Sequence, residues 1–376
     1  MNKLIYLTYQ VFPNNKANCF QTIRMLENFS KQKVEPLLIF PDRGSFDKSY
    51  KKIKDFYQVE NDFEIKTYKH FLPFNSFKYF EKLNFLISSF LWSLYGVLKV
   101  KKTLESRDII MTRTHWIAYF ASMFTNLIIY ECHKFSKIDK FIFKRIRKKR
   151  NVVIVFPNNN LKNSYELGKI LSANSLILNS SFDEDFFKNV SEKRYPKRVI
   201  FVGSLLRFNE SRNISFLIDV FADNRLEEFE LFVIGGPVEI AEQLKKEIIS
   251  ENVNFLGPVL QKEAVREILK SEIGILINDD NIHSKFHTSP IKYFEYLRGG
   301  VKVLAVNYPS HKQLPMNENN YYFESNDKDS FIESVIKASK VSFKQSDEIN
   351  NFSYKNRVKE LLNHLARLEG LEPPTL

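Results

Sequence analysis

Ile273-Gly274-Ile275-Leu276-Ile277-Asn278, then Thr288-Ser289-Pro290-Ile291-Lys292-Tyr293-Phe294-Glu295-Tyr296-Leu297-Arg298-Gly299-Gly300, then Val301-Lys302-Val303-Leu304-Ala305-Val306 read as a buried strand, a short helix with both ends marked, and a second buried strand. Ser289 is placed to cap the helix, Pro290 suits the first helical position, where a missing N–H costs nothing, and Gly299 or Gly300 supplies a left-handed stop. Strands joined through a helix build a parallel sheet, and open α/β folds bind ligands at the carboxyl edge of such a sheet. The helix start offers free N–H groups and a positive dipole end, with Lys292 on its first turn, as an anion such as a diphosphate requires. Glu295 lies deeper and is suited to accept hydrogen bonds from a pair of sugar hydroxyls. Phosphate at the tip and ribose at the carboxylate describe a nucleotide. A capped surface helix is the plainer reading of the same spacing.

Working outward, apolar strand-like runs alternate with helical patterns at 4–9, 35–40, 108–112, 127–131, 152–156 and 175–179, and again at 199–203, 229–236, 253–257, 273–278, 301–306 and 320–324. The predicted fold class is α/β, with two Rossmann-like doubly wound domains facing a cleft. The polar, proline-containing stretch Ser191-Glu192-Lys193-Arg194-Tyr195-Pro196-Lys197 sets the break. Residues 1–190 form the first domain and 191–345 the second, 346–366 a helix returning to the first, and 367–376 a disordered tail, because Pro373 and Pro374 cannot continue a helix.

A chain of 376 residues with 44% hydrophobic content fills two cores and is neither disordered nor fibrous. The formal charge of +12 has two open readings, an anionic partner or the composition of an AT-rich genome, since Lys, Asn, Ile, Phe and Tyr are abundant together. Cys19 and Cys132 have no metal or redox spacing, which points to a reducing, cytoplasmic setting. The segment Leu83 to Leu98 falls short of the roughly 20 residues that span a bilayer. It reads either as a buried core helix or as a membrane-surface helix carrying Phe85, Phe90, Trp92 and Tyr95. The basic run 144–150 is either a solvated face or a contact for an anionic bilayer.

Three stretches together resemble a known family: Tyr6-Leu7-Thr8-Tyr9-Gln10-Val11-Phe12-Pro13 with Lys16-Ala17-Asn18, Tyr130-Glu131-Cys132-His133, and Thr288 to Tyr296. The chain resembles retaining glycosyltransferases of the GT-B fold, glycosyltransferase family 4, over nearly its whole length. The resemblance implies transfer of a sugar from a nucleotide diphosphate sugar to a glycan or lipid-linked acceptor, with the nucleotide sugar as co-substrate and no cofactor. From the residues, seven scattered histidines and the lone Asp279-Asp280 pair offer no metal site, and no known RNA or DNA module is present, so neither metal nor nucleic acid is expected. It further implies a role in cell-surface polysaccharide or glycolipid synthesis and a cytoplasmic site on the inner face of the membrane.

Residue by residue, the resemblance places Glu295 at the ribose and Gly203, Thr288, Ser289, Pro290 and Ile291 around the donor, with Lys292 and Arg212 on the leaving diphosphate and Arg207 as a second candidate. His287 stands where the family carries a first glutamate. Gly235-Gly236-Pro237 resembles a strand-end turn, and Phe255-Leu256-Gly257-Pro258-Val259 the backbone along the nucleobase. It places His133 as a catalytic residue that meets the acceptor and the reacting sugar, with Lys16, Asn18 and Arg113 on the acceptor side. A nucleotide-sugar epimerase or phosphorylase, or a catalytically inactive GT-B scaffold, are the alternatives.

Overall fold

The computed structural model describes residues 3–42, 50–70, 81–166, 174–207, 210–248 and 250–368. The chain divides into two compact units, Met1–Leu178 with Arg357–Leu376, and Asn179–Asn356. The break falls ahead of the polar stretch 191–197.

The first unit contains strands β1 (Lys3–Leu7), β2 (Glu35–Asp42), β3 (Glu64–Lys69), β4 (Ile109–Thr112), β5 (Leu127–Glu131), β6 (Val152–Phe156) and β7 (Ser175–Ile177). Its helices are α1 (Ala17–Lys31), α2 (Tyr50–Tyr57), α3 (Glu81–Lys101), α4 (His115–Ala121), α5 (Lys137–Ile146) and α6 (Asn159–Glu166). The sheet is wholly parallel with order β3-β2-β1-β4-β5-β6-β7. Val152-Val153-Ile154-Val155-Phe156 is buried on both faces, as a strand covered by helices front and back must be.

In the second unit, β8 (Arg198–Val202) is followed by a two-residue antiparallel pair, β9 (Leu206–Arg207) and β10 (Glu210–Ser211), and then α7 (Ile214–Phe221). There follow β11 (Glu230–Ile234), α8 (Val238–Lys245), β12 (Val253–Gly257), α9 (Gln261–Leu269), β13 (Ile273–Leu276), α10 (Ile282–Phe286), α11 (Ile291–Arg298), β14 (Lys302–Val306), α12 (Pro309–Lys312), β15 (Asn320–Phe323) and α13 (Lys328–Ser339). These strands are parallel in the order β12-β11-β8-β13-β14-β15. Each sheet therefore winds outward in both directions from its first strand, the Rossmann order, and its ligand crevice lies at the switch between β1 and β4 or between β8 and β13. Helices α7 and α13 cover one face of the second sheet, where Phe216, Phe221, Phe323 and Phe331 pack, and α9 and α11 cover the other.

The returning helix, α14, runs Tyr354–Leu368, so its start is later than 346, and Arg367 and Leu368 are helical rather than tail. The rest of the expected tail, 369–376, lies outside the described residues. Strand β3, Glu64-Ile65-Lys66-Thr67-Tyr68-Lys69, was not among the predicted runs. It is an edge strand with little burial, so it carries charges at Glu64, Lys66 and Lys69 instead of an apolar run.

Helix α3 is 21 residues long, and Leu83–Lys101, with mean hydropathy 1.4, is long and apolar enough by length and composition alone to cross a membrane. Its burial is inverted in the first half, whereas Trp92, Val97 and Val100 further along join the core of the unit. Asn84, Ser88, Ser89, Trp92 and Ser93 face the unit, while Leu83, Leu86, Ile87, Leu91 and Leu98 are exposed. A helix packed only for a soluble core turns its large apolar side inward.

Candidate functional site

The helix carrying Glu295 is held against the sheet by one side chain. The Tyr296 ring lies across Gly274 of β13, so close that a Cβ built on Gly274 falls 2.6 Å from it. The Tyr296 hydroxyl accepts from the Val202 N–H at 3.1 Å, and burial pushes its pKa up. Gly274 is thus glycine to leave room for the ring, and α11 is anchored between β8 and β13, at the switch point. Gly274→Ala is expected to displace Tyr296 and cost about 1–3 kcal/mol, as overpacking does. A melting curve together with nucleotide titration checks it, and unchanged values for both defeat this account of the anchoring.

At its start α11 departs from the predicted capping. Pro290 is the N-cap, no side chain caps the helix, and Ile291 is the first helical residue. Ser289 instead accepts from the Ser180 N–H at 2.9 Å, while its carbonyl accepts from the Ser180 hydroxyl at 2.5 Å. Thr288 donates to the Ser284 carbonyl and to Ser310, both at 3.2 Å. Their hydroxyls therefore seat the loop, and the α11 amides are left uncapped by side chains. Of the two glycines, Gly300 takes the left-handed stop (φ +68°), while Gly299 stays right-handed.

Glu295 is buried, and its carboxylate has two partners: Lys292 Nζ on Oε2, and Gln261 Nε2 on Oε1 at 2.6 Å. The position of Arg212 follows from Gly203, since a Cβ on Gly203 would lie 2.7 Å from the Arg212 guanidinium. Arg212 also acts electrostatically on Tyr296, which puts it at the carboxyl end of β8 beside α11. The loops after β8 and β11 meet backbone to backbone, for a Cβ on Gly235 would fall 1.8 Å from the Gly203 carbonyl oxygen. Thus Gly203, Arg212, Lys292 and Glu295 gather on one sheet edge. Arg207 lies in β9, and Phe208 and Asn209 beyond it are outside the described residues.

His287 is buried at the C-cap of α10, its ring edge-on to that of His283 at 6.1 Å, and burial lowers its pKa. A neutral imidazole there does not reproduce the charge of a glutamate. Asp279 and Asp280 line a polar hollow with Asn213, Ser215, Asn278, Ser325 and Asn326. Among the described residues no group of three or more His, Cys, Asp or Glu converges as a metal site would.

In the first unit Glu131, at the end of β5, is the centre. Its Oε2 accepts from Arg113 Nε at 2.7 Å and its Oε1 from Arg357 NH2 at 2.8 Å, and Arg357 also donates to the Leu178 carbonyl at 2.6 Å. Burial alone would raise the Glu131 carboxyl, but the two guanidiniums and His133 outweigh it and hold the group far below the usual carboxylate range. Arg113, expected on the acceptor side, thus commits its charge to Glu131 and reaches the Asn18 carbonyl at 3.2 Å. Asn18 and Lys16 are exposed at the start of α1, and His133 is half-buried two residues past Glu131. Asn18, Arg113 and Glu131 thus meet by the carboxyl ends of β4 and β5, with His133 near enough to act on the Glu131 charge.

Sequence reading missed Gln261 and Glu131 as partners. A single carboxylate closing the apolar run Leu127-Ile128-Ile129-Tyr130-Glu131 was a usable signal for the second. Gln261 offered none, because its partner is on another helix.

The two Rossmann-ordered units are those of the GT-B class. Residues 182–359 match the family described as glycosyl transferases group 1. Across 99% of the chain the fold is similar to all of an E. coli trehalose-6-phosphate protein bound with UDP-2-fluoro glucose, with TM-score 0.69 and 11% identity. Trehalose-6-phosphate synthase, studied for glycosyl transfer with retention, gives TM-score 0.66 at 11% identity over 99% of this chain and 100% of that one. HepE of Anabaena, in complex with UDP and glucose, matches with TM-score 0.66 and 12% identity over 97% of this chain and 100% of that one. At such identities the likeness establishes the fold. A curated relative, the DNA-directed RNA polymerase subunit beta' of Oedogonium cardiacum, is 26% identical over 336 residues, 74% of this chain. The chain spans 17% of that protein's length.

Proposed function

We propose that this chain is a glycosyltransferase that moves a sugar from a nucleoside diphosphate sugar to a glycan or lipid-linked acceptor, with retention of anomeric configuration. The observation that carries the reading is the buried Glu295 carboxylate, held beyond the uncapped start of α11 on the same sheet edge as Gly203 and Arg212. Glu295 accepts the ribose hydroxyls. The α11 amides, Lys292 and Arg212 take up the charge that develops on the departing diphosphate, the largest electrostatic demand of the reaction. Departure and attack on one face let the diphosphate itself accept the acceptor's proton, and His133 places the sugar and acceptor. The UDP ligands of the similar folds make uridine diphosphate sugars the first donors to test, and the retention studied in trehalose-6-phosphate synthase supports the stereochemistry.

The test is transfer from a panel of nucleotide sugars to glycan and lipid-linked acceptors, with the product anomer assigned by NMR. An α-linked product from an α-linked donor, formed undiminished in EDTA, is expected. A β product overturns retention and makes His133 a candidate base. Activity abolished by the chelator and restored by manganese or magnesium overturns the charge assignment to Arg212 and Lys292. Release or isomerisation of the sugar without transfer favours an epimerase or phosphorylase.

An acceptor at the inner face of a membrane, in cell-surface polysaccharide or glycolipid synthesis, accounts for the inverted helix α3. Helix α4 packs against both α3 and α5. The exposed Leu83, Leu86, Ile87, Leu91 and Leu98 supply the apolar part, and the exposed Lys144, Arg145, Lys148 and Arg150, on α5 and the turn after it, the basic part. Apolar insertion plus a basic patch suits an anionic bilayer. Co-sedimentation with vesicles containing anionic lipid is expected at low salt, falling steeply as salt rises. Leu86→Asp with Ile87→Asp should abolish it, and no binding by the parent chain at low salt removes the membrane from this reading.

A further inference from the structure

Both oxygens of Glu295 are engaged, but by partners of different kinds. Lys292 sits three residues earlier on the same helix, so the pair forms wherever α11 lies. Gln261 comes from α9, 34 residues away in the chain, and its contact exists only because α9 and α11 pack side by side. As the first residue of α9, Gln261 follows the turn that leaves β12, so it stands on the same sheet edge as Gly235 and Gly257. A carboxylate held by one ammonium can swing about its last torsion. Held by two donors from different helices, it presents its remaining lone pairs in fixed directions, one on each oxygen.

We propose that Gln261 is a positioning residue that sets donor specificity: its carboxamide fixes the Glu295 carboxylate so that each oxygen can accept one hydroxyl of a ribose cis-diol, and a 2′-deoxyribose is refused. The inference rests on the reading of Glu295 as the ribose ligand. Its physical basis is that a buried, oriented acceptor left unpaired by a missing hydroxyl rejects the analogue strongly, whereas a mobile acceptor relaxes toward water and discriminates little.

The experiment is calorimetric titration of the full chain with uridine, guanosine and adenosine diphosphates and their 2′-deoxy counterparts. For whichever base binds best, the parent is expected to prefer the ribonucleotide by about tenfold or more. In Gln261→Leu, which has similar size but no donor, affinity for the 2′-deoxy ligand should stay within about twofold while that preference largely disappears. Gln261→Lys, with a donor of similar reach, should restore the preference even if its charge tightens both ligands. Melting midpoints of both variants should match the parent. Retention of the preference in Gln261→Leu, or an equal loss for both ligands, overturns the inference and leaves the ribose assignment standing. Failure of the parent to bind any of the nucleotides overturns the donor reading and this inference with it.

Discussion

Glu131→Gln is expected to lower the stability of the protein by roughly 3–5 kcal/mol, the cost of leaving buried charges without their counter-ion. Glu131 and Arg357 are almost wholly buried, with side chains 1% and 2% exposed, and Arg113 is 8% exposed. Glutamine keeps one hydrogen-bond acceptor but no charge, so two guanidiniums face each other without a counter-charge between them. The pH dependence follows from the depressed Glu131 pKa. Its stabilisation is fully present above the unfolded carboxyl value of about 4.5 and is lost progressively as pH falls toward the much lower folded value. Urea denaturation at pH 7 and at pH 4 should therefore show the parent weakening on acidification and the variant weakening less. A variant within about 1 kcal/mol of the parent at pH 7 would show that the triad is not a stabilising element. Because Arg357 also holds the Leu178 carbonyl, this one carboxylate ties β4, β5, the end of β7 and α14 together.

Glu295→Ala is expected to weaken binding of the nucleoside diphosphate by roughly 1.5–3 kcal/mol, the range for hydrogen bonds to a charged group, or about 10- to 150-fold in dissociation constant. The fold should survive, because Lys292 is one-fifth exposed and can turn to water, and Gln261 sits at a half-buried helix start. Tyr296, not Glu295, anchors α11. Calorimetry measures the loss, and an unchanged affinity with an intact melting curve removes Glu295 from the ribose. Lys292→Met distinguishes the roles further: it should weaken a diphosphate more than the parent nucleoside, since the ammonium bears on the phosphates directly and on the ribose only through its ion pair with Glu295.

Much of this was legible in advance because it depends on local pattern. Buried parallel strands must be apolar on both faces, so Val152 to Phe156 and Ile273 to Ile277 announce themselves. The stop at Gly300 is written in a residue that tolerates positive φ. The edge strand Glu64–Lys69 escaped notice because it is only partly covered, with Tyr68 reaching the core, and so carries no apolar run. Helix α3 was legible as a helix, but which side of it turns outward was not, since its serines and its leucines alternate on two stripes and either could face the sheet. Ser289 looked like a cap because capping is a local rule, but Ser180 claimed its hydroxyl from the far end of the unit's chain.

By itself, the sequence determined the alternation of strands and helices, the parallel character of both sheets, and the stretch bearing the candidate nucleotide site, because hydrophobic period and helix-end chemistry are encoded within a few residues. Only the tertiary structure decided the strand order, the inverted exposure of α3, and the partners of the two buried carboxylates. Glu131 is joined to Arg357 across 226 residues and Glu295 to Gln261 across 34. Such pairs leave no periodic mark, since the desolvation that makes them necessary arises only when packing excludes water from both groups at once.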